Sequence, residues 1–168
     1  EQAKLEADRC VSCGLCVATC PTHMAIPQYI KAIRDGDYDL GVALLYETNP
    51  FSSICGRVCT HPCEDKCRRN SLDAPVSIRG IKRFMADAET APWHPTRPRE
   101  AKPGKVAVIG AGPAGLTAAL RLAQAGYAVT VFEALPIPGG MMAVGIPEYR
   151  LPRDVLDRQI ARLEAEGL

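Results

Sequence analysis

The sequence predicts two folds in tandem: a mainly helical, cysteine-rich domain over 1–90, then the start of an α/β Rossmann-like domain over 105–168. Three observations predict this. All eight cysteines fall between Cys10 and Cys67. A glycine-rich turn, Gly110-Ala-Gly112-Pro113-Ala114-Gly115, separates an apolar strand-like run from an alanine- and leucine-rich helix. Between the two lies the stretch 91–104, with four prolines and no apolar periodicity, which reads as a semi-rigid linker.

Composition bounds the rest. A length of 168 residues suits one ordinary domain or two small ones, and a hydrophobic fraction of 47% allows a packed core. Aromatics at 5% are too sparse for a base-stacking nucleic-acid surface. Twenty basic against 19 acidic residues leave a net charge of +1, with no pull toward nucleic acid or anionic lipid. No apolar run approaches the roughly 18 residues of a membrane helix. The expected compartment is the cytoplasm. The chain starts at Glu1 and closes in a helix-like segment at Leu168, so a piece of a longer polypeptide is expected.

Residues 1–9 are polar and read as a short helical lead-in. The first cysteine quartet follows: Cys10-Val-Ser-Cys13-Gly-Leu-Cys16-Val-Ala-Thr-Cys20-Pro21. Its spacing is that of bacterial ferredoxins, in which three thiolates on short loops reach three corners of one iron–sulfur cube. The fourth cysteine, beyond a longer spacer and followed by proline, turns toward another cluster. With the second quartet, Cys55, Cys59, Cys63 and Cys67, the chain reads as an α-helical ferredoxin-like domain holding two [4Fe–4S] clusters with interlocked ligands. Structural zinc is the competing reading, although zinc pairs come as two separated doublets. A disulfide framework suits small secreted chains, but no signal peptide is visible.

Between the quartets, Pro27 suits the first turn of a helix running to Asp35, with Ile26, Ile30 and Ile33 on its buried face. Asp35-Gly36-Asp37 reads as a turn, and Asp37 as the cap of a second helix through Tyr46. Leu40, Val42, Leu44 and Leu45 supply its apolar side, and Asn49-Pro50 ends it. The second quartet recurs every four residues, with Pro62 in the middle. Two short helical turns with a break near His61-Pro62 are expected there. His23 and His61 lie near the cysteines and are expected to hydrogen-bond nearby, ligation being the alternative. Ser77 to Glu89 reads as an amphipathic helix with Ile78, Ile81, Phe84 and Met85 inward. Arg68, Arg69, Arg79, Lys82 and Arg83 make its neighbourhood basic: an ordinary solvated face, or one that offsets cluster charge or receives an acidic partner.

After the linker, Lys105 to Gly110 suits a buried parallel strand, apolar on both faces. Gly110 permits the tight turn, Gly112 lets backbone approach a pyrophosphate, and Gly115 packs helix on strand. The helix runs through Gln124 to Gly126, its N-terminus facing the phosphates. Tyr127 to Phe132 forms a second strand, and Glu133 at its end accepts hydrogen bonds from ribose hydroxyls, which disfavours a 2′-phosphate.

The residues that follow, Pro138-Gly-Gly140-Met141-Met-Ala-Val-Gly145-Ile-Pro147-Glu-Tyr-Arg150-Leu-Pro152, make a resemblance specific. Glycine fingerprint, acid, Gly-Gly and Gly-Ile-Pro-x-x-Arg-Leu-Pro resemble the flavin domain of the glutamate synthase small subunit and its relatives. Those relatives include dihydropyrimidine dehydrogenase and the flavin subunit of electron-bifurcating ferredoxin:NADP oxidoreductase. The likeness extends back through Cys55-Gly-Arg-Val-Cys59 and Thr48-Asn-Pro50 to the first quartet. Only the spacing of Cys13 and Cys16 is shorter than in glutamate synthase small subunits.

The resemblance implies FAD at the fingerprint, with Gly110, Gly112, Pro113, Ala114 and Gly115 around the pyrophosphate and Glu133 at the adenosine ribose. It places Gly140, Met141 and Arg150 along the flavin. It assigns Cys10, Cys13, Cys16 and Cys67 to one cluster and Cys20, Cys59 and Cys63 to the other. Cys55 is then the candidate fourth ligand, because Lys82 stands where some relatives use a glutamine. A second dinucleotide fold beyond Leu168 would bind NAD(P)H. The function so implied is electron transfer between NAD(P)H, FAD and two clusters, toward another redox subunit or a ferredoxin-like acceptor. A non-catalytic electron-transfer or docking module is the alternative.

Overall fold

The computed structural model describes residues 1–88 and 100–168. It divides into two compact units, Glu1–Trp93 and His94–Leu168. Most of the expected linker lies outside the described residues. Of its end, the Lys102 N–H donates to the Gly126 carbonyl at 2.9 Å and belongs to the second unit.

The first unit is helical. Its elements are α1 (Gln2–Asp8), α2 (Leu15–Thr19), α3 (Ile26–Asp35), α4 (Tyr38–Thr48), α5 (Ser52–Val58), α6 (Pro62–Asp65) and α7 (Ile78–Asp87). A 3-10 turn over Arg68–Ser71 precedes α7. Pro27 lies in the first turn of α3, and Ile26, Ile30 and Ile33 are buried as their spacing requires. Asp37 caps α4 by accepting from the Leu40 N–H at 3.0 Å. Val42, Leu45 and Tyr46 form the buried side of α4, while Leu40 faces outward. These side chains pack with Tyr29, Val76, Ile78, Ile81 and Met85 in one core.

The second quartet is broken as expected, but Pro62 opens α6 at its first turn rather than interrupting a helix. The reversal falls on His61, whose backbone is left-handed at φ 48°. On α7 two expectations change. Phe84 is half-exposed and makes an edge-on contact with Tyr38. Lys82, expected on a basic face, is buried at 7% exposure.

The second unit contains β1 (Lys105–Ile109), α8 (Pro113–Gln124), β2 (Ala128–Phe132), α9 (Met141–Val144) and α10 (Arg153–Ala165). β1 and β2 pair in parallel, with Val106 opposite Val129 and Val108 opposite Val131. These valines pack beneath Ala119, Leu122 and Ala123 of α8. Among the described residues one face of β1 is covered. Lys105, Ala107 and Ile109 are exposed, because α8 covers one face of the two-stranded sheet. Leu156 and Ile160 of α10 lie against the loop at Gly139.

Candidate functional site

Four thiols from opposite ends of the cysteine stretch share one pocket: Cys10, Cys13, Cys16 and Cys67, with Pro27, Ile30, Val76 and Ile78 among the walls. Left-handed backbone at Ser12 (φ 54°) and Gly14 (φ 79°) coils the first loop around it. Arg9, next to Cys10, fastens the loop to the segment before α7. Its guanidinium donates to the carbonyls of Ala74 (2.6 Å) and Pro75 (3.4 Å) and pairs with Asp73 at 3.2 Å. Asp73 in turn pairs with Arg69, so the segment after Cys67 is tied back to α1. Burial, followed by the neighbouring Cys10 and Cys13, pushes the Cys16 thiol up to about 11.

The remaining thiols surround a lysine. Burial pulls the Lys82 ammonium below its ordinary value, while Cys55, Cys59, Cys20 and Cys63 push it back up. Its Nζ lies 3.1 Å from the Met24 sulfur. Among the described residues no carboxylate lies within ion-pair distance of it. Gly56 makes this assembly reachable. A Cβ there would stand 3.0 Å from the Arg83 Cα, so α5 and α7 cross at close backbone approach. That crossing sets Cys55 beside the face of Lys82. One turn earlier on α7, Arg79 donates to the Cys59 carbonyl at 2.9 Å, and its N–H donates to Glu64 of α6 at 2.7 Å. The Cys63 thiol is pushed up to about 12, by burial first, then by Glu64, Cys20, Cys59 and Cys16.

Cys20 thus faces the second quartet, and Cys67 faces the first. Burial would raise the Cys20 thiol, but the Thr22 hydroxyl, the Met24 and Thr22 amides and the Lys82 charge together lower it. Donors already aim at sulfur: the Asn49 side-chain amide reaches Cys55 at 3.3 Å, and the His61 N–H reaches Cys59 at 3.3 Å. Burial, followed by Cys63, Cys16 and Cys20, holds the Tyr29 hydroxyl well above its ordinary value. Sequence reasoning missed Tyr29 as a site residue and saw Lys82 only as standing where some relatives use a glutamine ligand. The only signal for Tyr29 was its place on the buried face of α3.

His23 bonds locally, and His61 sits beside Glu64. His23 Nδ1 lies 3.2 Å from the Val17 carbonyl oxygen. His61 Nδ1 lies 3.0 Å from a Glu64 oxygen, off the line of a hydrogen bond. The basic neighbourhood is largely consumed internally: Arg69 by Asp73, Arg83 by Asp87, Arg79 by Cys59, and Lys82 by burial.

Two groups of four thiols, with apolar walls and a buried cation, fit [4Fe–4S] clusters. Among the described residues no three His, Cys, Asp or Glu side chains gather round a single metal position.

In the second unit the glycine loop follows β1. Gly110 turns at φ 97°, and its N–H donates to the Phe132 carbonyl at 2.7 Å. A Cβ on Gly115 would meet the Gly110 carbonyl oxygen at 1.9 Å, so only glycine lets α8 seat on the loop. Gly140 crowds Gly112: a Cβ on Gly140 would stand 2.9 Å from the Gly112 Cα. The Gly139 N–H donates to the Ala111 carbonyl at 2.8 Å, which joins the two glycine loops. Glu133 accepts from the N–H groups of Leu135 (2.8 Å) and Ala111 (2.7 Å), and these bonds hold its carboxyl below the usual range. Met141 and Arg150 are exposed near this loop's continuation. Arg153, which sequence reasoning did not single out, braces that segment by donating to the carbonyls of Met142 and Ile146, both at 3.1 Å.

A cysteine-lined helical unit joined to a dinucleotide-type strand–loop–helix defines a class, the iron–sulfur proteins with an attached nucleotide fold. Residues 1–92 match the dihydropyrimidine dehydrogenase domain II, 4Fe-4S cluster family, and residues 108–157 match an NAD(P)-binding Rossmann-like domain. The chain belongs to this family of glutamate synthase small subunit-like iron–sulfur proteins. It is 47% identical to the NADP(+)-dependent formate dehydrogenase subunit beta of Moorella thermoacetica, covering 91% of this chain and 25% of that one. It is 46% identical to the NADPH-Fe(3+) oxidoreductase subunit beta of Geobacter sulfurreducens, covering 91% and 23%. To the NAD-dependent dihydropyrimidine dehydrogenase subunit PreT of Escherichia coli it is 38% identical, covering 97% and 41%. The chain therefore spans between a quarter and two fifths of these relatives. Among the described residues no helix is long and apolar enough to cross a membrane.

Proposed function

We propose that this chain is the iron–sulfur and flavin-binding part of an NAD(P)H-dependent oxidoreductase. It moves electrons between NAD(P)H, FAD and two [4Fe–4S] clusters, toward a partner redox subunit or a ferredoxin-like acceptor. One observation carries the reading. Cys10, Cys13, Cys16 and Cys67 line one pocket, which supports a cluster that takes one ligand from the second quartet and leaves Cys20, Cys55, Cys59 and Cys63, on the Lys82 side, for the other. The names of the relatives, all oxidoreductase or dehydrogenase subunits, support it.

Bound flavin exchanges a hydride as two electrons and releases them singly, whereas iron–sulfur cubes carry one electron at a time. The chain's own residues do the holding. Cys10, Cys13, Cys16 and Cys67 ligate one cluster, and Cys20, Cys55, Cys59 and Cys63 the other. The Asn49 and His61 N–H groups donate to sulfur and offset thiolate charge. At the nucleotide, the backbone around Gly110, Gly112, Pro113, Ala114 and Gly115 meets the pyrophosphate at the α8 N-terminus. Glu133, kept ionised by two backbone N–H groups, offers its remaining lone pairs to the adenosine ribose and repels a 2′-phosphate. Gly140, Met141 and Arg150 line the flavin. NAD(P)H binds in a second dinucleotide fold outside these residues.

The test is anaerobic rapid mixing of the full-length protein with NADH and with NADPH. Flavin absorbance should bleach first, and cluster absorbance should follow. Purified protein that holds FAD and iron but reduces only with dithionite would leave a non-catalytic electron-transfer module. Protein without FAD would leave the glycine loop to a nicotinamide nucleotide, as the description of the matched Rossmann-like domain suggests.

A further inference from the structure

Lys82 is a buried cation without a carboxylate. It sits on α7 at 7% exposure, its ammonium against the Met24 sulfur at 3.1 Å. The Asn49 side-chain amide reaches both that sulfur, at 4.0 Å, and the Cys55 sulfur, at 3.3 Å, so the ammonium and the thiol share one buried neighbourhood. An ammonium taken out of water without a counter-ion is strongly destabilising, and such groups are found paired. The anions that would face it are the thiolates of a loaded cluster. The pocket of Cys10, Cys13, Cys16 and Cys67 has no equivalent: its lining carries Arg69, which is already paired with Asp73 at the surface. The two groups of thiols are therefore electrostatically unlike. One faces a dedicated buried charge; the other faces apolar walls.

We propose that Lys82 sets the order of the two clusters: its fixed charge raises the reduction potential of the cluster held by Cys20, Cys55, Cys59 and Cys63 above that of the other. This rests on the ligand assignment made above. One-electron reduction of a cube adds one negative charge, breaks no bond and needs no proton; the electron comes from the reduced flavin, or from dithionite in a titration. A cation within the ligand shell stabilises the added charge, and cluster potentials follow net charge, hydrogen bonding to sulfur and exposure. Electrons arriving at either cube would then come to rest at the Lys82 side. Lys82 touches no substrate and is a positioning residue for the electron. The close α5–α7 crossing at Gly56 keeps it within reach of Cys55.

The test compares wild type, Lys82→Met and Lys82→Arg in the full-length protein, by iron content and by potentiometric titration followed by electron paramagnetic resonance. A Cys67→Ser variant, altered in the other cluster, identifies the signal belonging to the Lys82 side. Lys82→Met should lower that cluster's potential by at least 59 mV, a tenfold shift in a one-electron equilibrium, and leave the other in place. Lys82→Arg should keep the wild-type order. Should Lys82→Met lose the Lys82-side cluster, the wild-type and Lys82→Arg potentials decide: a Lys82-side potential at or below that of the other cluster overturns the proposal. Unchanged potentials in Lys82→Met would overturn it, as would equal loss of the cluster in both variants. Wild-type protein without iron would instead strike the cluster assignment itself.

Discussion

Gly115→Ala probes how the second unit makes its nucleotide loop. A Cβ at this position would stand 1.9 Å from the Gly110 carbonyl oxygen, 3.1 Å from the Gly110 carbonyl carbon and 3.4 Å from a Val108 methyl. Ordinary contact between such atoms needs about 3.5 Å, so α8 must back away from β1 by more than an ångström. The obstacle is backbone in the tight turn at Gly110, which cannot yield as a flexible side chain would. Overpacking of this kind costs about 1–3 kcal/mol. For a unit of this size, each kcal/mol lowers Tm by roughly 4–8 °C. The same retreat moves the α8 N-terminus away from the phosphates, so bound nucleotide should fall together with stability. The assay is thermal unfolding of the full-length protein beside its FAD and iron contents. Iron should be unchanged, because the thiols belong to the other unit. A Gly115→Ala variant with wild-type Tm and full FAD would refute the argument that only glycine seats this helix.

Other expectations follow from the same geometry. Cys20→Ala should erase the signal of the cluster near Lys82, and Cys67→Ala that of the pocket cluster; spectra in which each affects its own quartet's cluster would contradict the crossed arrangement. Asp37→Ala removes the α4 cap to Leu40 and should cost about 1 kcal/mol in the first unit, read as a lower Tm without loss of iron. Glu133 has a folded value lowered from 4.5 by its bonds from Leu135 and Ala111. Its contribution is therefore complete above the unfolded value and is lost as pH falls through the lowered folded one. Nucleotide binding should hold from neutrality to below the ordinary carboxylate value of 4.5, then weaken as the lowered folded value is crossed, and Glu133→Gln should weaken it already at neutral pH. A flat response in both experiments would remove Glu133 from the site.

Much of this was legible in the sequence because it is local. Pro27, Asp37 and Gly36 punctuate helices within a few residues, and the glycine turn carries its own steric logic at Gly110 and Gly115. The cysteine spacing announces clusters for the same reason. The grouping of the thiols is different. That Cys67 closes on Cys10 depends on Arg9 gripping the carbonyls of Ala74 and Pro75, contacts across more than sixty residues that no spacing encodes. Lys82 was legible only in part for a related reason. Among Arg79 and Arg83 it reads either as a solvated cation or as an offset to cluster charge, and only the packing of α7 shows that it is buried. The apolar run of β1 fits a strand covered on both faces, and the described residues supply one of those covers, α8. α2 and α6 are too short for periodicity to show, and the reversal at His61 follows from the loop between Cys59 and Cys63 rather than from its residue type.

The central claim is that these eight cysteines hold two iron–sulfur cubes, and metal analysis of anaerobically prepared protein tests it most directly. The account predicts about eight irons and about eight acid-labile sulfides per chain, with broad visible absorption that bleaches on reduction. Stoichiometric zinc in a colourless protein, with neither iron nor sulfide, would contradict it.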